Sequence, residues 1–490
     1  MNVFDYLFSE SKELEKDFLL GVTERASYQK IYWQSLLLAE YLRSNVGENQ
    51  KIIVMGHNSL FFITAYLGIL KSGNICIPLN PVLEHENLRY IVSLIDCRLS
   101  FISQHVTLPS DLSITVINES VLDKLISENT NYDEQKNNNG FDDNRIAEII
   151  FTSGSTGTPK GVMLSHRNLK TNTSSIVEYL SLSGNDIAAI VLPFYYCYGL
   201  SVLHTHIKVG GSVVLNNNFI LLGTVIDNLL KYKCTGFAGV PSHFQILLRK
   251  SKKFTSTKFP HLRYVTQAGG KLQPVFITEF KDAFPDIDFF VMYGQTEATA
   301  RLSYLHPNYL TDKIGSIGKG IPGVILKVLN EQGVPVKPGE TGEIVAKGDN
   351  VMIGYFKDVE GTNEVLKKGW LYTGDMATVD EDGFIYVVAR KKEIIKVGGN
   401  RVSPKEIEEV ILTVPEVLDC TISEVNDELL GEAIKATVVL AGTYDTLHIK
   451  EIILKQCRER LSLYKIPSYW EFTEKMELAS NGKKITKIKS

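Results

Sequence analysis

Within twelve positions, Ile150-Phe-Thr-Ser-Gly-Ser-Thr-Gly-Thr-Pro-Lys-Gly161 gathers three glycines, five hydroxyl side chains and one lysine. Glycines let backbone amides approach an anion closely, Ser and Thr hydroxyls donate further hydrogen bonds, and Lys160 adds positive charge, so the segment suits phosphate. It is not a Walker A loop, because Pro159 stands five positions after Gly154 where that motif needs glycine.

These residues need a large scaffold. A chain of 490 residues calls for two or more domains, and 44% apolar with 22% charged residues is the balance of a soluble globular protein. A formal net charge of -4 gives no electrostatic case for a nucleic-acid partner. Six cysteines without a C-x-x-C pair suggest reduced thiols in a cytoplasmic setting, not a zinc site or a disulfide framework. The residues from Met1 to Asp17 lack the basic start and long apolar run of a secretory signal. The apolar stretch Leu60 to Leu70 is too short to span a bilayer and reads as a buried helix, so no integral membrane association is expected.

Short apolar runs at Ile52 to Met55, Ile149 to Phe151, Ile187 to Leu192 and Ser212 to Leu215 alternate with helix-like segments, which predicts wound α/β architecture. Asn129 to Asn144 has little to bury and reads as a surface loop. The charged cluster Arg390-Lys-Lys-Glu393 marks a linker, giving domains at 1–390 and 391–490. Beyond it, Ser403, Pro404 and Glu406 predict a helix start with a capping box.

Thr152 to Gly161 resembles the signature loop of the adenylate-forming (AMP-binding) superfamily, which includes acyl-CoA synthetases. Tyr293-Gly-Gln-Thr-Glu297, Tyr372-Thr-Gly-Asp375, Arg390 and Ser480-Asn-Gly-Lys483 resemble its later motifs, in order. The resemblance implies an α/β fold: a large N-terminal domain of layered sheets and helices with a small mobile α+β C-terminal domain. It implies that Thr152, Ser153, Gly154, Ser155, Thr156, Gly157, Thr158 and Lys160 hold ATP phosphates. Gly269, Gly270, Tyr293, Gly294, Asp375 and Arg390 would hold the adenosine side, Tyr293 by stacking on adenine and Asp375 through the ribose hydroxyls. Glu297 would ligate Mg²⁺, Thr296 would meet the α-phosphate, and Lys483 would bridge the attacking carboxylate and the α-phosphate.

By the same resemblance, Tyr195, Tyr196, Cys197, Gly199 and His204 fall in the acyl pocket. Pro193 to Gly211, Cys234 to Lys250 and Tyr264 to Gly270 contain no acid, so a buried substrate ammonium would lack a partner. The expected substrate is an apolar aliphatic or aromatic acid without an α-amino group. Gly398 and Gly399 would face the pantetheine arm, and Lys392 would be the hinge. Coenzyme A is the expected acceptor, with the phosphopantetheine of a separate carrier protein as its rival. A non-catalytic nucleotide-binding relative is the reading from another class, and the presence of both Glu297 and Lys483 argues against it.

Two motifs are set aside. Gly318, Gly320 and Gly323 fit G-x-G-x-x-G, but Pro322 interrupts them and a strand-like Val324 to Leu329 follows, which predicts a turn between strands. His204 and His206 have no obvious third ligand and sit in an apolar stretch, which favours packing or substrate lining over metal.

Overall fold

The computed structural model describes residues 1–21, 24–128, 140–152, 158–391, 393–397, 400–427 and 431–484. Phosphate-loop residues Ser153, Gly154, Ser155, Thr156 and Gly157, the hinge position Lys392, the pair Gly398 and Gly399, and most of the Asn129 to Asn144 stretch lie outside these.

Among the described residues, the large domain contains sheets of seven, nine and five strands. The first two are mainly parallel at their centres, where Lys51–Met55 pairs with Ile75–Leu79, and Ile187–Ile190 lies between Ser212–Leu215 and Gly236–Gly239. A parallel strand covered on both faces must be apolar throughout, so these strands read as runs and not as alternations. Ile75–Leu79 is buried at all five positions.

Helix Leu60–Ser72 is buried from Phe61 to Ser72, in one apolar core with Ile52 and Val54 of the first sheet and Ala188 and Ile190 of the second. The hydroxyl of Ser59 accepts from the Phe62 amide at 3.2 Å and starts the helix; Gly73, at φ 81°, ends it in a left-handed turn. Leu38 lies so close that a Cβ on Gly68 would come within 2.7 Å of it. No described helix is long and apolar enough to cross a membrane.

The third sheet brings Trp370–Val379 against Ile385–Arg390, with Asp375 opposite Arg390 in register. The smaller C-terminal domain follows, with Gly431–Leu440 antiparallel to Val417–Asp427 and parallel to Tyr469–Thr473, flanked by helices Pro404–Ile411 and Thr446–Arg460. Helix Pro404–Ile411 starts where the sequence indicates, but without the capping box. The Ser403 hydroxyl donates to Val388 O at 2.7 Å, tying the helix start to the end of the large domain, while Glu406 pairs with Lys465 at 2.6 Å. The three glycines at 318, 320 and 323 lie in the turn and short strand leading into Ile325–Leu329.

Arg249 helps fasten the domains together. Its guanidinium meets Glu279 at 2.6 Å in the large domain and donates to the carbonyls of Leu412 (3.1 Å) and Val414 (3.2 Å) in the small one. Lys271 and Glu409 add an ion pair at 2.9 Å.

Candidate active site

Strand Ile146–Thr152 and strand Lys160–Ser165 form an antiparallel pair with Thr152 opposite Lys160, so the phosphate-loop segment connects their ends. Lys160 Nζ lies 2.8 Å from Asp358 Oδ2 and 5.0 Å from the centre of the Tyr355 ring. Tyr355 donates in turn to Glu297 Oε1 at 2.8 Å. Asp358 and Tyr355 escape a reading of the sequence because no motif marks them; Tyr355 arrives by pairing opposite Val162 on the strand that begins with Lys160.

A second cluster forms where the strand Asp288–Tyr293 ends. Tyr293 Oη donates to Asp375 Oδ2 at 2.6 Å, and Arg390 Nε to Oδ1 at 3.1 Å. Burial and the adjacent carboxylate push the Tyr293 hydroxyl well above its usual range, so it stays a proton donor. Gly294 is required here by a close backbone approach: a Cβ would stand 2.1 Å from Ala300 O.

Lys483 enters from the small domain on the turn Ser480-Asn-Gly-Lys483. Gly482 takes φ 77°, its amide bonds to Ala479 O at 2.8 Å, and the Lys483 amide is held by Asn481 Oδ1 at 3.0 Å. The large domain grips this turn: Ser242 Oγ donates to Gly482 O at 2.5 Å and Asn80 Nδ2 to Ser480 Oγ at 2.7 Å. Lys483 Nζ then lies 4.6 Å from the centre of the Tyr196 ring, in a cavity lined by Cys197, Gly269, Gly294 and Thr296. Burial pulls its pKa down, with the Cys197 thiol and Glu297 opposing the shift. Gly269 takes the left-handed φ of 89°, and a Cβ there would stand 3.0 Å from Tyr196 Oη and 3.1 Å from Lys483 Cε, a tight fit. Gly270 accepts from Gln267 Nε2 through its carbonyl at 2.8 Å.

The segment assigned to the acyl pocket divides. Tyr196 and Cys197 line the Lys483 cavity, and Thr296 Oγ1 sits 3.6 Å from Cys197 Sγ. Tyr195 is half-buried beside Ser480. Gly199 packs on the backbone, where a Cβ would stand 2.2 Å from Pro193 O. His204 turns away from both cavities into the core: its Nε2 is 2.8 Å from Tyr66 Oη, which donates to Glu148 Oε2 at 2.7 Å. Burial lowers His204 to about 3 and raises Glu148 to about 7.

A second cavity lies behind the first, lined by residues such as Val202, Phe237, Ala238 and Met292. Both cavities are lined by Tyr198 and Arg301, whose guanidinium lies 3.9 Å from the Tyr198 ring centre. Arg301 is missing from the sequence-level site; its one signal is a lone cation inside the otherwise uncharged run Ala298 to Leu302.

Residues 9–356 match the AMP-binding enzyme family, and residues 406–483 match the AMP-binding enzyme C-terminal domain. The chain belongs to the AMP-binding enzyme family. It is an AMP-forming acid–thiol ligase in kind. A feruloyl-CoA synthase of Amycolatopsis sp is 35% identical over 70% of this chain and 69% of its own length. A long-chain-fatty-acid–CoA ligase of Yersinia pestis is 29% identical over 95% of this chain and 89% of its own. Among solved structures, an anthranilate CoA ligase in complex with anthranoyl-AMP superposes with a TM-score of 0.90 at 22% identity, covering 99% of this chain and 95% of that one.

Proposed function

We propose that this enzyme converts a carboxylic acid without an α-amino group into its acyl-adenylate, releasing pyrophosphate, and then transfers the acyl group to the thiol of coenzyme A. The observation that carries the reading is Lys483, delivered by the small domain into a cavity that also holds Thr296, Gly269 and Gly294 of the large domain.

Each oxygen of Asp375 already accepts one hydrogen bond, from Tyr293 or Arg390, and keeps a second lone pair that a ribose hydroxyl can use. The carboxylate is thereby held in one orientation before nucleotide arrives, which lowers the ordering cost of binding. Adenine would lie against Tyr293. Lys160 and the loop between Thr152 and Thr158 would take the β- and γ-phosphates, with Lys160 leaving Asp358 to do so. Glu297 fits Mg²⁺, because Tyr355 engages only Oε1 and Oε2 remains for a hard cation; when bound, the ion supplies positive charge to the phosphates.

The acid's carboxylate attacks the α-phosphorus between Thr296 and Lys483. Negative charge develops there as the bond to pyrophosphate breaks. A lysine ammonium in a site closed to water stabilises that charge far better than one in solvent. Burial lowers its pKa, and the arriving anions act in the opposite direction, favouring the ammonium.

Thiol transfer needs the Lys483 turn to leave. We place the domain junction after Arg390, since Ile385–Arg390 still pairs within the large domain, and the pivot at Lys392. Rotation would bring Gly398 and Gly399 toward the acyl-adenylate for the pantetheine arm.

The test is acid-dependent exchange of labelled pyrophosphate into ATP over a panel of aliphatic and aromatic acids, followed by thioester formation with coenzyme A and with loaded carrier proteins. Absence of exchange with every acid overturns the adenylation reading. Exchange with transfer only to a carrier protein overturns coenzyme A as acceptor.

A further inference from the structure

Arg301 is 3% exposed, yet no carboxylate among the described residues lies within ion-pair distance of its guanidinium. Its protein contacts are all neutral: Nε lies 3.2 Å from Met292 Sδ, Nη1 donates to Ala300 O at 3.2 Å, the Tyr179 hydroxyl bonds to the side chain, and the plane stacks on Tyr198. A buried cation without an anion is costly, and a fold does not retain one cheaply unless something else neutralises it. The backbone beneath it is firmly held: the carbonyl of Arg301 accepts from Asn350 Nδ2 at 2.7 Å and from Asn172 Nδ2 at 3.3 Å.

What faces the guanidinium is open space on both sides, since it lines the Lys483 cavity and the apolar cavity behind it. Lys483 lines only the first. Lys483 lies over the Tyr196 ring and Arg301 over the Tyr198 ring, the two ring centres are 6.4 Å apart, and both cations act on the Cys197 thiol. An acid whose reacting carboxylate meets Lys483 therefore runs along these two rings and presents its far end to Arg301.

We infer that the acyl substrate carries a second carboxylate, separated from the first by a short carbon spacer, and that Arg301 binds it. This rests on the adenylation reading above. The planar fork of arginine matches a carboxylate in two parallel hydrogen bonds, a geometry that lysine cannot reproduce. The cavity beyond, lined by Val202, Phe237, Ala238 and Met292 together with neutral polar groups such as Ser201 and Thr266, holds no second cation among the described residues, so a carboxylate moved past Arg301 loses its charged partner.

The experiment measures pyrophosphate exchange with succinate, glutarate, adipate and phthalate, and with the monomethyl ester of each, using the full chain. The quantity read is the ratio of kcat/KM for diacid over monoester within each protein, which a general folding loss does not move. The parent should favour at least one diacid by about 100-fold. In Arg301→Met that ratio should fall to about one or below, and Arg301→Lys should restore only part of it. A parent ratio near one across the series, or a ratio unchanged in Arg301→Met, overturns the inference and leaves adenylation standing. If no compound in this series supports exchange, adenylation is judged on the wider acid panel, and thermal melting decides the subsite. A diacid that raises the parent's Tm and not that of Arg301→Met sustains it, and no rise with any diacid overturns it.

Discussion

Lys483 and Lys484 adjoin in sequence and serve different domains. Lys483 Nζ lies over Tyr196 in the large domain, whereas Lys484 Nζ lies 3.2 Å from Asp419 and 3.6 Å from Glu408 within the small one. Its two carboxylate partners hold the Lys484 ammonium charged and push its pKa up, while burial pushes that of Lys483 down. Lys484 is the anchor from which Lys483 projects.

Substitution should separate the two. Lys483→Ala should lose pyrophosphate exchange by about 100-fold or more, comparable to removing one preorganised donor from a developing charge, while converting supplied acyl-adenylate to thioester at a near-normal rate. Lys484→Ala should instead leave the buried Asp419 without a cation and Glu408 with Lys405 alone, at a cost of roughly 3 kcal/mol of stability, read as a lower Tm. Equal loss in both half-reactions for Lys483→Ala would refute its role.

The proposed hinge should give the reverse phenotype. Proline at 392 fixes φ near roughly -65° and restricts residue 391, so it should block rotation without removing a catalytic group. Lys392→Pro should keep pyrophosphate exchange and lose thioester formation. Transfer at the parent rate would remove Lys392 from the pivot.

Stability should also depend on pH through Glu148. Burial raises its pKa from an ordinary 4.5 to about 7, so the folded protein binds its proton more tightly than the unfolded chain does. The contribution is complete below pH 4.5 and is lost as pH rises through about 7, a gap worth roughly 3 kcal/mol. Glu148→Gln, which keeps an acceptor for Tyr66, should flatten this decline. Parallel denaturant midpoints for both proteins between pH 5 and pH 8 would count against the assignment.

Gly199→Ala tests the packing beneath the site. A methyl 2.2 Å from Pro193 O must displace backbone, so a loss of at least about 2 kcal/mol is expected, together with weaker exchange as Tyr196 and Cys197 shift. An unchanged Tm would show that the segment yields easily.

Much of this architecture was legible in the sequence, for a physical reason. Strands such as Ile52 to Met55 are buried on both faces and announce themselves as apolar runs, and helix Leu60–Ser72 carries its own start at Ser59 and stop at Gly73. Asp375 and Arg390 stand out because their motifs are local, and register alone then pairs them. Ser403 shows the limit of local reading: a hydroxyl placed to cap its own helix bonds to Val388 across the domain junction instead. Long-range pairing is invisible in the same way. Tyr66 and Glu148 meet across 82 positions, and Lys160 and Asp358 across 198. Arg301 was hidden differently, since what distinguishes it is the absence of a carboxylate around it among the described residues, a property of the folded interior alone.

The grip of Ser242 on Gly482 has a consequence for timing. On the mechanism proposed above, while that bond holds the lysine turn would act as a stopper, keeping bulk water from the mixed anhydride. The same stopper would bar the thiol. Protection against wasteful hydrolysis and delay of the second nucleophile would then be one event, set by when this single bond breaks.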